Sequence, residues 1–174
     1  MKVLVLCGPE STGKSCLAQA LAAQFGAHVV HEYVRKFIEQ QQRDTCLADI
    51  PAIARGQLAA EDSARAALPR LLVLDTHLLS NHLWSTTLFG QSPAWLLEAL
   101  QSRHYDLHLL LSPHGMPWQA DGQRCQPLLE EREAFFSASE NWLRQQHQPY
   151  AVLSGSWEAR LAEAFKQVEH LLEA

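Results

Sequence analysis

One short stretch near the start of the chain restricts the possible folds more than any other. Residues 3–6 are apolar, residues 8–15 read G-P-E-S-T-G-K-S, and Leu17, Leu21 and Phe25 follow at helical spacing. The octapeptide fits the pattern G-x-x-x-x-G-K-[ST], which forms a phosphate-binding loop when a strand precedes it and a helix follows it. A chance glycine turn before a helix is the alternative, but the flanking segments favour a nucleotide-binding chain.

The chemistry of this loop predicts what its residues do. Gly8 and Gly13 allow backbone angles and close approaches that a Cβ atom would block. Successive amide groups can then point inward and bind anionic oxygens beside the helix N-terminus. We expect Lys14 to contact the β- and γ-phosphates of ATP and the Ser15 hydroxyl to ligate Mg²⁺. The predicted nucleotide-binding residues are the nine consecutive positions Gly8, Pro9, Glu10, Ser11, Thr12, Gly13, Lys14, Ser15 and Cys16.

The composition predicts a single globular domain that spans residues 1–174. Of the 174 residues, 47% are hydrophobic and 19% are charged, which is enough for a sizeable core. The net charge is −5 and no basic run occurs, which argues against a nucleic-acid partner. No segment reaches the length of a membrane span. The four cysteines form no C-x-x-C pair, which predicts a reduced, cytoplasmic protein rather than a disulfide scaffold.

Short apolar strands alternate with helical segments along the rest of the chain. The predicted strands are 3–6, 27–31, 71–74, 107–111 and 150–153. The predicted helices are 14–25, 33–43, 51–68, 81–89, a segment capped by Ser92 with Pro93 as its first residue and ending near 102, 128–145, and a last helix from 156. This alternation predicts an α/β fold of the P-loop NTPase type, with helices on both faces of a five-stranded parallel sheet. We expect the strand order 2-3-1-4-5 and ligands at the carboxyl ends of the strands.

Two carboxylates are predicted to lie at those strand ends. Asp75 closes the third strand, and in phosphate-loop proteins such an acid binds Mg²⁺ directly or through water. It could instead cap the following helix. Glu32 follows the second strand and could accept a proton from a substrate hydroxyl, or merely favour the first turn of a helix. The sequence predicts a metal site of Ser15 and Asp75, and leaves open which carboxylate accepts the proton.

A glycine- and proline-rich stretch before the long helix has little periodicity. It covers about residues 112–127, and we expect the segment 112–132 to be a lid that can close over the site. Arg124 and Arg132 are candidates to stabilise the transferring phosphoryl group, with ordinary surface arginines as the alternative.

Several segments, in their order along the chain, resemble one known family. They are G-P-E-S-T-G-K-S at 8–15, H-E-Y-V-R at 31–35, D-T at 75–76, Y-D-L at 105–107, P-W-x-A-D-G-x-R at 117–124, then Arg132 and Phe135 or Phe136. In this order they resemble the nicotinamide riboside kinase domain at the C-terminus of the bacterial NAD-biosynthesis regulator. The resemblance spans nearly the whole chain. It implies a P-loop kinase that uses ATP and Mg²⁺ to phosphorylate the 5′-hydroxyl of nicotinamide riboside, giving nicotinamide mononucleotide.

The resemblance also implies roles for individual residues. The substrate-binding set is Glu32, Tyr33, Arg35, Asp75, Trp118 and Asp121, and the catalytic set is Lys14, Glu32, Asp75, Arg124 and Arg132. Two positions depart from the family pattern: His31 stands where a tryptophan is frequent, and His77 stands where the family has an acid. The regulator's DNA-binding and adenylyltransferase domains do not fit in 174 residues, so we expect neither activity from this chain.

Two other functions stay open on the sequence. One is a P-loop kinase that acts on another nucleoside, and the other is a nucleotide-dependent regulatory ATPase that works through a protein partner. The lid-like segment and the carboxylate after the second strand favour a transferase for a small riboside. The sequence does not determine the nucleotide base preference or the oligomeric state.

Overall fold

A parallel sheet of five short strands forms the centre of the computed structural model, which describes residues 1–173. The strands are β1 (Lys2–Cys7), β2 (His28–Val30), β3 (Leu71–Asp75), β4 (Leu107–Leu111) and β5 (Tyr150–Leu153). They pair in the order β2-β3-β1-β4-β5 and every pairing is parallel. The predicted α/β class and strand order are therefore confirmed. All five residues of β3 and of β4 are buried, as expected for strands covered on both faces.

Helices cover the two faces of the sheet and separate two apolar cores. Within residues 1–173 the α-helices are α1 (Lys14–Phe25), α2 (Tyr33–Gln41), α3 (Ile50–Ala66), α4 (Leu78–Phe89), α5 (Ala94–Gln101), α6 (Leu129–Gln145) and α7 (Trp157–Glu173). Helices α1 and α7 supply the core on one face. Helices α3, α4, α5 and α6 supply the core on the other. In the described part of the chain, no helix combines the length and apolarity that crossing a bilayer requires.

The observed bounds correct the prediction at several element ends. Helix α4 begins at Leu78, three residues earlier than predicted, after His77 in an extended conformation. Helix α5 begins at Ala94, because Pro93 has ψ of 129° and stays outside the helix instead of forming its first residue. Helix α2 ends at Gln41, since Gln42 adopts a left-handed φ of 52°.

Two histidines lie in the core between the sheet and the helices. His77 and His108 are fully buried, their rings are 5.2 Å apart, and both rings contact the ring of Tyr105. Nδ1 of His108 lies 3.1 Å from the carbonyl oxygen of Pro149, whereas neither ring nitrogen of His77 has a hydrogen-bond partner within residues 1–173. Burial lowers the pKa of His77 well below 6.5 and that of His108 to about 4.

We predict that the thermal stability falls as the pH drops below about 6.5, because the unfolded chain binds protons on these histidines and the folded chain does not. Their contribution is fully present above the unfolded pKa and is lost as the pH falls toward the lowered folded values. His77→Phe keeps a buried ring and should reduce the fall in Tm between about pH 7 and pH 5, whereas exposed His170→Ala should leave it unchanged. An equal pH dependence in wild type and His77→Phe would contradict this prediction.

Candidate active site

The predicted phosphate-binding loop connects β1 to α1 along a tightly curved path. Gly8 and Gly13 have φ of 118° and 91°, which side chains rarely adopt. A Cβ atom on Gly8 would lie 2.5 Å from the carbonyl oxygen of Leu111, so the loop passes directly beside the end of β4. The Thr12 hydroxyl donates to the carbonyl of Pro9 at 2.9 Å and fixes the turn from inside. The backbone thus forms the concave loop that the motif predicts.

The Lys14 ammonium lies within this loop. Its Nζ donates to the carbonyl oxygens of Gly8 at 3.0 Å and Pro9 at 2.7 Å. Burial lowers the pKa of Lys14, and the negative charges of Glu32 and Asp75 partly oppose that effect. The loop therefore holds the Lys14 ammonium in place, and the charges of the Glu32 and Asp75 carboxylates act on it.

The two carboxylates come from neighbouring strands. Val30 of β2 pairs with Leu74 of β3, so Glu32 and Asp75 emerge at the same edge of the sheet. Burial raises the pKa of Glu32, while Lys14 lowers it. Glu32 also accepts a hydrogen bond from Nε of Arg35 at 3.2 Å. Asp75, the last residue of β3, is buried.

A cleft begins at the phosphate-binding loop and continues between α2, α3 and α4. Polar groups of the loop and lid line one end, and an apolar wall lines the other. The lining residues are Glu10, Ser11, Gly13, Lys14, Ser15, Cys16, Glu32, Val34, Arg35, Ile38, Thr45, Ile50, Ile53, Ser80, Asn81, Trp84, Leu88, Gln123, Arg124 and Cys125. Trp84 is the aromatic residue of that wall, and its ring packs 5.0 Å from that of Phe135. The buried Oδ1 of Asn81 has no hydrogen-bond partner within residues 1–173.

Residues 112–128 contain no helix or strand, whereas residues 129–132, which the sequence also assigned to the lid, belong to α6. One anchor holds this segment to the phosphate-binding loop: the indole Nε1 of Trp118 and the amides of Cys125 and Gln126 all donate to the carboxylate of Glu10, at 2.7, 3.1 and 2.8 Å. The Glu10 side chain therefore contacts the lid, although the sequence predicts a nucleotide-binding role for this position.

A second anchor joins the lid to helix α2. The Arg35 guanidinium, which also contacts Glu32, donates to Oδ2 of Asp121 at 2.8 Å. These contacts with Arg35 and two lid amides lower the pKa of Asp121 to about 2. The lid thus closes over the cleft between the phosphate-binding loop and α2.

The two candidate lid arginines occupy different surroundings. Arg124 lines the cleft, donates to the carbonyl of Gln119 at 2.7 Å and lies 3.1 Å from Oδ2 of Asp121. Arg132, at the first turn of α6, is 5% exposed and does not line the cleft. Two of its guanidinium nitrogens have no hydrogen-bond partner in the described part of the chain. Of these two arginines, Arg124 lines the same cleft as Lys14 and Glu32, and Arg132 does not.

Several residues predicted for the site lie away from the cleft. The ring of Tyr33 packs against Gly56 of α3, where it occupies the space that a Cβ atom would need. Trp118 and Asp121 do not line the cleft, and contact Glu10 and Arg35 instead. His31 is exposed, and His77 lies in the core.

The sequence analysis missed Asn81 and Trp84. Both belong to the α4 region that alternates polar and apolar residues without a recognisable motif. Only the packing of α4 against the neighbouring helices shows which of its side chains face the cleft.

The donor atoms near Lys14 fit the predicted Mg²⁺ site. A hydroxyl at Ser15 and a carboxylate at Asp75 are hard oxygen ligands of the kind that Mg²⁺ prefers. The residues present are consistent with the metal that the motif implies.

Curated relatives match this chain at low identity. One is the trifunctional NAD biosynthesis/regulator protein NadR of Salmonella typhimurium, 23% identical over 99% of this chain and 43% of that protein. Another is the protein of the same name from Escherichia coli, 25% identical over 78% of this chain and 34% of that protein. The chain therefore spans less than half the length of these relatives.

Solved structures share the fold. NadR protein in complex with NR has a TM-score of 0.77 at 21% identity, over 99% of this chain and 50% of that one. NadR protein with NAD and AMP-PNP has a TM-score of 0.74 at 22% identity, with the same coverage. Deoxyadenosine kinase from M. mycoides has a TM-score of 0.69 at 10% identity, over 97% of this chain and 99% of that one.

A family model described as an AAA domain matches residues 3–160. This range contains the phosphate-binding loop, the lid, four complete strands and all of β1 except Lys2. The chain belongs to this AAA domain family.

Proposed function

We propose that the chain transfers the γ-phosphoryl group of ATP to the 5′-hydroxyl of nicotinamide riboside, giving ADP and nicotinamide mononucleotide. The observation that carries this proposal is one cleft lined by the phosphate-binding loop, by Glu32 and by an apolar wall. Relatives of the same fold were solved with NR (nicotinamide riboside) and with AMP-PNP, an ATP analogue, which supports this pairing of substrates.

The loop end of the cleft would bind the triphosphate. Inward amides of residues 8–15 and the Lys14 ammonium neutralise the β- and γ-phosphate oxygens, and the Ser15 hydroxyl and Asp75 would hold Mg²⁺. When bound, the metal ion would neutralise the charge that develops on those oxygens. Catalysis here depends on positioning and charge neutralisation rather than on a covalent enzyme intermediate.

Glu32 is the better candidate for the proton acceptor. It lines the cleft, whereas Asp75 does not, and its pKa is raised toward the range useful for proton transfer. The 5′-oxygen attacks the γ-phosphorus, the bond from that phosphorus to the β,γ-bridging oxygen breaks, and the hydroxyl proton passes to Glu32. Arg124 would then stabilise the charge on the transferring group from the lid side.

The apolar end of the cleft would bind the nicotinamide ring. Trp84 offers an aromatic surface among Val34, Ile38 and Leu88, and aromatic faces attract cationic rings. The pyridinium of nicotinamide riboside is cationic, so Glu32 complements it by charge as well. Trp84 thus supplies the aromatic surface that the exposed His31 does not.

Phosphorylation of another nucleoside is the second candidate, because deoxyadenosine kinase shares the fold. A panel of ribosides with labelled ATP separates the two. Our proposal is supported if nicotinamide riboside is a better phosphoryl acceptor than adenosine and than reduced nicotinamide riboside, whose ring is uncharged. Preference for a neutral nucleoside would contradict it, as would ATP hydrolysis that ignores every riboside, which is the behaviour expected of a regulatory ATPase.

Lys14→Ala should reduce kcat by at least roughly 10²- to 10³-fold, because the loop loses the ammonium that neutralises the transferred group. Circular dichroism and Tm should stay close to those of wild type. Exposed Lys166→Ala removes the same charge from α7 and serves as the matched control, with unchanged kcat. Turnover near the wild-type rate in Lys14→Ala would refute the assignment of the loop.

Trp84→Leu should raise KM for nicotinamide riboside by about tenfold while changing KM for ATP little, because it removes the aromatic face from the acceptor end alone. Trp95→Leu, on α5 and outside the cleft, is the control for loss of an indole. Steady-state kinetics with each substrate varied in turn measure both constants. An equal rise in the two KM values would show that Trp84 does not act on the riboside.

The pH dependence of kcat tests Glu32 as the proton acceptor. A carboxylate accepts a proton only when ionised, so kcat should fall as the pH drops through the pKa of Glu32, which lies above its usual 4.5. Glu32→Gln should lower kcat by roughly 10²- to 10⁴-fold and abolish this acid limb. If kcat of Glu32→Gln still falls at low pH as in wild type, another group accepts the proton. Asp75→Asn is then the next variant to measure.

A further inference from the structure

A carboxylate stands inside the loop that is built to bind anions. Glu10 is the third residue of the octapeptide, between the two glycines whose backbone shapes the loop. Nothing in the motif requires an acid there, since the four positions between Gly8 and Gly13 are variable. An unpaired carboxylate at this point would repel the phosphates of a nucleotide. Its charge therefore needs a compensating contact.

The lid supplies that contact. Three N–H groups, the Trp118 indole and the amides of Cys125 and Gln126, donate to the two oxygens of Glu10 at 2.7 to 3.1 Å. Hydrogen bonds to a charged acceptor are stronger than those between neutral groups. Their donors lie more than 100 positions along the chain, so they are tertiary contacts rather than local turn geometry.

The same segment carries Arg124 into the cleft. Arg124 donates to the carbonyl of Gln119, and the Gln119 amide donates to the hydroxyl of Ser11 at 3.1 Å. Arg124 also lies directly before Cys125, one of the donors to Glu10. Its guanidinium is thus held by one part of the lid and its backbone adjoins another, and both parts are bonded to the phosphate-binding loop.

We propose that Glu10 is a positioning residue that anchors the lid (residues 112–128) to the phosphate-binding loop and thereby places Arg124 over the transferred phosphoryl group. The catalytic part of this statement rests on the proposed function. The anchoring part concerns the free protein and stands without it. Glu10 links the residues that grip the nucleotide to the segment that covers it.

Hydrogen exchange measures the anchoring directly. In Glu10→Ala the amides of Cys125 and Gln126 and the Trp118 indole lose their acceptor. Amide exchange across residues 118–126 should then accelerate by about tenfold or more relative to wild type. Glu10→Gln keeps one carbonyl oxygen and should give an intermediate acceleration, as should Trp118→Phe, which removes one donor and keeps an aromatic ring. Glu130→Ala removes an exposed carboxylate from the start of α6 and should leave the exchange of residues 118–126 unchanged.

A double-mutant cycle tests the positioning of Arg124. Glu10→Ala and Arg124→Ala should each lower kcat for riboside phosphorylation, and the double variant should be no slower than Arg124→Ala. The fraction of ATP hydrolysed without transfer should rise in Glu10→Ala, because an open lid admits water. Glu130→Ala again serves as the control and should keep the wild-type kcat and coupling.

The outcomes separate the two proposals. If wild type transfers no phosphate to nicotinamide riboside, the proposed function fails, and the exchange data alone decide whether Glu10 anchors the lid. Unchanged exchange in Glu10→Gln and Trp118→Phe overturns the anchoring even if Glu10→Ala does not fold. If the fold-reductions in kcat of Glu10→Ala and Arg124→Ala multiply in the double variant, the two residues act independently. That result overturns the positioning of Arg124 by Glu10.

Discussion

The site depends on one half-buried cation that donates to backbone carbonyls and is influenced by the charges of two carboxylates. Lys14 donates to Gly8 and Pro9, and its surroundings contain Glu32 and Asp75. These groups converge because neighbouring parallel strands end at the same edge of the sheet, where the loop also begins. We expect a nucleotide that enters the loop to replace these carbonyl partners of Lys14 with phosphate oxygens. The sheet order thus brings Lys14, Glu32 and Asp75 to the same edge of the sheet.

The cleft and lid extend this arrangement by different physical means. The end of the cleft away from the loop is apolar and formed by helix faces, with Trp84 and Asn81 lining it. The lid has no regular secondary structure and is held by charged contacts, from Glu10 on one side and Arg35 on the other. Such contacts can form and break as ligands enter and leave, whereas the packed helices stay in place.

Local sequence predicted the fold and the phosphate-binding loop. It did not predict which side chains of each helix face the cleft or the core. Apolar runs and glycine positions predicted the strands, their order and the path around Lys14. The sequence did not reveal that Tyr33 packs on Gly56, that His77 is buried beside His108, or that Glu10 turns toward the lid. Each of these depends on residues distant along the chain, and a motif specifies only its own neighbours. The roles of Arg132 and of the substrate residues stay predictions.

A structure determined with Mg²⁺, AMP-PNP and nicotinamide riboside tests the central claim most directly. Our account predicts the triphosphate within residues 8–15 against Lys14, the pyridinium beside Trp84, and the 5′-oxygen within hydrogen-bond distance of Glu32. A riboside bound outside the cleft, or a 5′-oxygen turned away from the γ-phosphate, would contradict it.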